Sequence, residues 1–463
     1  CALPSYTYAD RYIAEFNFGY NGSENFAKGN RFGFFPSIAA GWIVSEEEFM
    51  RPVQNYINKL KLRASYGLAG NDRFYNDDGS QKRFAYITTI GTTDGYKWGN
   101  SNAFYDKGGL REGDPGVESL TWETVKKANV GIELGLFKMA ELQVDFFHER
   151  REDIFMQRKN IPSSAGFPSA PWANYGIVTN KGFDISLDLN KQINKDWFIS
   201  ARASVTYAKN KIIEQDEDLG VLGTYRSSTG KPVGQIFGLV NDGLYTEADF
   251  EDVTTGKLKP GLPVPKFSDR VYPGDIKYVD FNGDGEITET DKTAIGGTVN
   301  PELVYGFGIN LSYKNIDFGA FFQGNGRTYR IIGENQKNFL PGSTIGAEGN
   351  IFTNASDAWT VDNPSQDVFY PRLHMGYNAN NAQVSDWWLK DMSMLRLKNV
   401  ELGYSFSKNL IKKAAMEYAR IFVRGTNLLQ FSKFDLWDPE LNTSNGLKYP
   451  IMATYSIGLQ VRF

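Results

Sequence analysis

Along the chain, apolar and polar side chains alternate with period two over stretches of about ten residues, separated by polar, glycine-rich segments. In Gly182–Asn190 one face carries Phe183, Ile185, Leu187 and Leu189, and the other Asp184, Ser186, Asp188 and Asn190. Trp197, Ile199, Ala201, Ala203, Val205 and Tyr207 alternate with Ser200, Arg202, Ser204 and Thr206. The pattern returns from Ala128 to Leu136 and from Tyr305 to Tyr313. Successive side chains of a strand point to opposite faces, so each stretch predicts a strand with one apolar and one polar face. Roughly thirteen or fourteen such strands fit the template. They are long: soluble sandwich strands have a mode of about 5–6 residues, whereas a tilted membrane strand needs ~9–11. Short turns such as Asn194-Lys195-Asp196 and Lys314-Asn315 alternate with connections of tens of residues, the asymmetry of a membrane barrel. The expected fold class is all-β, a transmembrane antiparallel β-barrel.

Composition agrees. The 463 residues include 33 Phe, 25 Tyr and 47 Gly, in keeping with aromatic girdles and an apolar outer face. The balance of 50 Lys+Arg against 54 Asp+Glu, net −4, does not point to nucleic acid. Cys1 is the one cysteine, which leaves no disulfide framework and no cysteine metal site. A lipid-modified N-terminus at Cys1 is the alternative to the interior of a longer chain. No apolar run of ~18 residues is present, so a membrane role rests on strands. With only His148 and His374, zinc sites and histidine-based triads lack raw material. His148, alternating with Val144 and Phe146, is expected at a membrane interface. Neither a nucleophile elbow nor a phosphate-binding loop occurs, and Asp184 and Asp188 are expected in a hydrated wall. Nothing points to an enzyme. The last strand carries Tyr455, Ile457, Leu459, Val461 and Phe463 on one face; the terminal aromatic is expected to be an assembly signal, or else simply the end of an ordinary strand.

One local motif carries metal chemistry. Asp280-Phe281-Asn282-Gly283-Asp284-Gly285-Glu286-Ile287 and onward to Asp291 follows a calcium-loop order. Asp280, Asn282 and Asp284 take positions one, three and five, Gly285 the turn, Glu286 a backbone carbonyl, and Asp291 position twelve. A hard cation needs about 6–8 oxygens on a tightly curled backbone. Aspartate in place of glutamate at position twelve loosens the site, and a solvated Asn-Gly, Asp-Gly turn is the alternative. The expectation is a structural Ca2+ that stiffens an external loop. For substrate contact, Trp172, Tyr175, Trp359, Tyr370 and Tyr377 are the loop aromatics able to stack on sugars or grip peptides. Trp387 and Trp388 are expected in a girdle.

Several segments resemble the barrel of SusC/RagA-type TonB-dependent transporters. Among them are Arg31-Phe32-Gly33, Gly70-Asn71, Trp122-Glu123, Asn174-Tyr175-Gly176, Asn300-Pro301, Asp386-Trp387-Trp388, Leu395-Arg396 and Asp438-Pro439-Glu440. They stand in the family's order across nearly the whole chain. The resemblance implies residues 1–463 as the C-terminal part of a 22-stranded barrel, with plug, TonB box and first strands outside this chain. It implies an integral place in a Gram-negative outer membrane, against membrane lipid. It implies import of an oligosaccharide or oligopeptide, with a SusD-like surface lipoprotein, TonB acting through the plug, and dimers of transporter–lipoprotein complexes. The alternatives are a passive or structural barrel (porin, adhesin or secretion pore) and a soluble calcium-stabilised lectin.

Overall fold

The computed structural model describes residues 4–463 except 77–78, 101–102, 168, 334–352 and 413–414. Thirteen strands, each neighbour to the next in the chain, form one sheet. They are β1 (Ser5–Tyr8), β2 (Tyr12–Gly22), β3 (Phe32–Ile43), β4 (Ile57–Asn71), β5 (Glu123–Leu136), β6 (Ala140–Gln157) and β7 (Trp172–Gln192). There follow β8 (Trp197–Glu214), β9 (Leu303–Tyr313), β10 (Ile316–Gly326), β11 (Met394–Ser405), β12 (Tyr418–Ser432) and β13 (Thr454–Arg462). The all-β expectation holds, and no helix among the described residues is long and apolar enough to cross a membrane. Strands run longer than the alternating stretches that announced them, because Trp172–Lys181 continues β7 without strict alternation.

Contacts divide the chain into two compact units, residues 1–191 with 202–231, and residues 192–201 with 232–463. In the first unit an apolar row runs through Leu62, Ile132, Val144 and Ile185 on β4–β7. In the second, Leu311, Phe318, Leu402, Val423 and Ile457 form a row across β9–β13. These faces are open: Phe146 is 56% and Ile457 73% exposed. A continuous apolar surface of this extent is unstable in water and stable in lipid. The band ends where charge begins. Ala128 faces His148, and one step further Lys126 faces Arg150, both paired with Glu152. His148 therefore sits at the rim of the apolar band. Aromatic pairs mark the short-turn ends, Tyr56 with Phe137 and Trp197 with Tyr313. The Asn194–Asp196 turn is closed by the Asn194 Oδ1, which accepts from Asp196 N and Trp197 N.

The opposite face is polar, and glycine shapes it. Arg63 on β4 reaches over Gly131 on β5 to Asp145 on β6, at 2.5 Å. A Cβ on Gly131 would stand 2.5 Å from Asp145 Oδ1. In the second unit Arg420 on β12 passes Gly403 on β11 to reach Asp317 on β10, and also pairs with Glu401 at 2.6 Å. Strand neighbours normally interact only across one spacing; a glycine between them lets an ion pair span two.

Candidate functional site

The long connections carry their own packed cores. In the first unit Phe26, Phe35, Phe74, Leu120, Trp122 and Phe155 form a buried cluster. Motif segments far apart in sequence converge there. Trp122 Nε1 donates to the Arg31 carbonyl, Asn71 Nδ2 donates to Glu123, and Asn174 Nδ2 donates to the Thr121 carbonyl. Trp172 is stacked on Phe155 at 4.6 Å with the Lys82 ammonium over it. Tyr175 lies under the Arg158 guanidinium, 4.5 Å away. Trp172 is thus held against the cluster, and Tyr175 by Arg158.

Just past the end of β8, Asp216 and Glu217 are buried and heavily bonded. Asp216 accepts from Arg158 Nε, Lys159 N and Asn160 Nδ2. Glu217 accepts from the hydroxyls of Ser227, Ser228 and Thr229 and from Ser228 N. Burial by itself would raise both carboxyls, but these donors outweigh it and hold each at about 2. The two side chains tie residues 158–160 and 227–229 to one strand end.

In the second unit Leu239, Ile276, Tyr278, Ile287, Trp359, Tyr370, Trp388 and Met392 belong to one core. Trp388 is fully buried and its Nε1 donates 2.8 Å to the Asn381 carbonyl; Trp387 Nε1 donates to the Phe369 carbonyl. The girdle position expected for these two is corrected: the indole N–H groups need partners, and this core supplies them. Trp359 is 6% and Tyr370 0% exposed, and Trp359 N donates to the Tyr370 carbonyl. Burial pushes the Tyr370 hydroxyl up to about 12. Both are core residues rather than ligand-facing ones, which corrects their assignment too; Tyr377, at 45%, is open. Asp386 Oδ1 accepts from Asn241 N and Nδ2. Arg396 donates to Asp438 at 2.5 Å, and its Nε lies 2.9 Å from Glu440 without hydrogen-bond alignment.

The Asp-rich loop is curled on itself. Asp280 accepts from Gly283 N and Gly285 N, at φ +73° and +83°. Asn282 accepts from Asp284 N, and Asp284 from Glu286 N. Asp291 is fully buried and accepts from Phe281 N and Thr288 N, while Glu286 pairs outward with Lys266 at 2.9 Å. The side chains at positions one, three, five and twelve therefore bond to the loop's own backbone. Among the described residues, no three His, Cys, Asp or Glu side chains converge as metal ligands. Phe463 is 80% exposed beyond β13.

No protein-family model matches the chain. Over 99% of its length it is 30% identical to TonB-dependent receptor P26 of Formosa agariphila, and over the same share 25% identical to TonB-dependent receptor SusC of Bacteroides thetaiotaomicron. This chain is homologous to TonB-dependent receptors, SusC among them. It spans 45% of the first relative and 43% of the second. Among solved structures, the RagAB peptide importer in its "open-open" state superposes with TM-score 0.74 at 24% identity, covering 99% of this chain and 46% of that one. The fold is the antiparallel sheet of outer-membrane TonB-dependent barrels, and the chain is an integral outer-membrane barrel chain. The homologues are receptors and transporters rather than enzymes.

Proposed function

We propose that this chain forms barrel wall in a TonB-dependent importer of an oligosaccharide or oligopeptide. A SusD-like surface lipoprotein works over the long connections, TonB acts through a plug domain, and transporter–lipoprotein complexes pair into dimers. The observation that carries the reading is the similarity to TonB-dependent receptors along 99% of the chain. The polar face, with charges locked in place by the glycine-bridged ion pairs, supports a hydrated wall. The test is to extract the native protein from outer membranes in mild detergent and identify what co-purifies by mass spectrometry. A lipoprotein and a bound peptide or glycan are expected; a lone barrel without plug or lipoprotein would replace the proposal with a passive pore.

Within the same proposal, the Asp280–Asp291 loop takes a structural Ca2+. The order of its oxygen-bearing residues and the two left-handed glycines support it; a loop closed by hydrogen bonds alone is the competing state. Asp280, Asn282, Asp284 and Asp291 would hold the ion with the Glu286 carbonyl. Calorimetric titration should show one calcium site that the double substitution Asp280→Ala, Asp284→Ala abolishes; no heat from the unaltered protein would exclude it. Phe463 is proposed as the assembly signal. Deleting it is expected to lower the yield of folded, heat-modifiable barrel several-fold, and an unchanged yield would reduce it to a plain last residue.

A further inference from the structure

Beyond the buried core of the second unit, one cation stands out. Arg372 follows Tyr370-Pro371 in the connection between β10 and β11. Its backbone N donates 2.7 Å to the Gly274 carbonyl, and its Nη1 donates 3.3 Å to the Pro273 carbonyl. The guanidinium carbon lies 5.3 Å from the Tyr272 ring centroid and 5.7 Å from that of Trp359. Gly274, at φ +91°, makes this possible, because a Cβ there would stand 2.3 Å from the Trp359 ring.

Among the described residues no carboxylate pairs with Arg372. Asp275, next to Gly274 in the connection between β8 and β9, is already committed. Its Oδ1 bonds His374 Nε2 at 2.5 Å and accepts from Asn378 Nδ2 and Asn381 Nδ2, and its Oδ2 accepts from Tyr272 N. A guanidinium has five N–H donors in one plane, and a half-buried charge without a counter-ion is costly. Two nearby rings relieve part of that cost, but they cannot accept the remaining in-plane N–H groups. A planar, two-oxygen acceptor satisfies them best. Three residues on, Met375 is 93% exposed, and Tyr377 is 45% exposed. A flexible thioether adapts to side chains of many shapes, which favours a peptide over a sugar ring.

We propose that Arg372 is a carboxylate-recognition site for an acidic peptide, with Met375 and Tyr377 as adaptable apolar contacts beside it. This rests on the importer reading and narrows its cargo. The test uses the full-length receptor in detergent and two acetylated octapeptides, alternating alanine with either glutamate or glutamine. The unaltered protein is expected to bind the glutamate peptide at least ten-fold more tightly. Arg372→Gln should erase that preference, Arg372→Lys should retain only part of it, and Arg270→Gln, which removes an exposed charge nearby, should leave it intact. Equal binding of both peptides would overturn the site while leaving import standing. So would a preference that survives in Arg372→Gln, binding of neither peptide, or binding of oligogalacturonate in their place. The importer reading fails separately, through a lone barrel in the co-purification.

Discussion

Replacing Trp388 with alanine is expected to loosen the connection over residues 353–393 while leaving the long strands folded. The indole is fully buried, 6.3 Å centroid to centroid from both Phe369 and Tyr370, and donates to the Asn381 carbonyl. Its backbone also bridges Ile332 N and the Ser385 carbonyl. Truncating a buried Trp to Ala costs roughly 3–5 kcal/mol, and here the Asn381 carbonyl also loses its donor. Limited proteolysis in detergent, read by mass spectrometry, should show new cuts within residues 353–393 and none within β9–β13. Tyr377→Ala, at an open position, should cut as the unaltered protein does. An unchanged pattern in Trp388→Ala would mean that this core does not hold the connection together.

The second large effect concerns acid. Asp216 and Glu217 have carboxyls held at about 2, below their usual values near 4. Groups depressed in the folded state contribute stability that is fully present above the unfolded value. That stability is lost as pH falls from about 4.5 through about 2. For Glu217, whose side chain is nearly buried, the contribution is about 2–3 kcal/mol. Glu217→Ala should release residues 218–231, leaving the Ser227, Ser228 and Thr229 donors without their acceptor. Amide exchange at Ser228 and Thr229 should accelerate by about two orders of magnitude at pH 7, since each ~1.4 kcal/mol is ten-fold. In the substituted protein the Glu217 share of the acid sensitivity should vanish. Exchange unaltered at both pH 7 and pH 3 would show that these bonds do not hold the segment.

Alternation of period two was sufficient to place the long strands, because a strand between lipid and water must sort its side chains by face along its whole length. Phe183–Leu189, Ala128–Leu136 and Tyr305–Tyr313 all lie in strands of the sheet. The turns at Asn194 and Lys314 were legible too, since short polar breaks between such strands leave few conformations. The oxygen order of Asp280–Asp291 was visible as a pattern, and the structure adds the closed backbone hydrogen bonds that any cation must accommodate.

What sequence could not sort was aromatic residues in the long connections, because a Trp beside a strand reads alike whether it meets lipid, ligand or core. Only the fold buries Trp359, Tyr370 and Trp388 together while leaving Tyr377 open. Register decided the rest. Gly131 lies 68 positions from Arg63 by number and 14 from Asp145, and nothing local says that all three share one row. Asp216 reaches Arg158 and Asn160, and Arg372 reaches Tyr272 and Pro273, by the same kind of long-range placement. Face periodicity is a property of neighbouring residues and is written along the chain. Pairings between distant charges and rings depend on which strands and connections are brought side by side, and that is settled only by the tertiary structure.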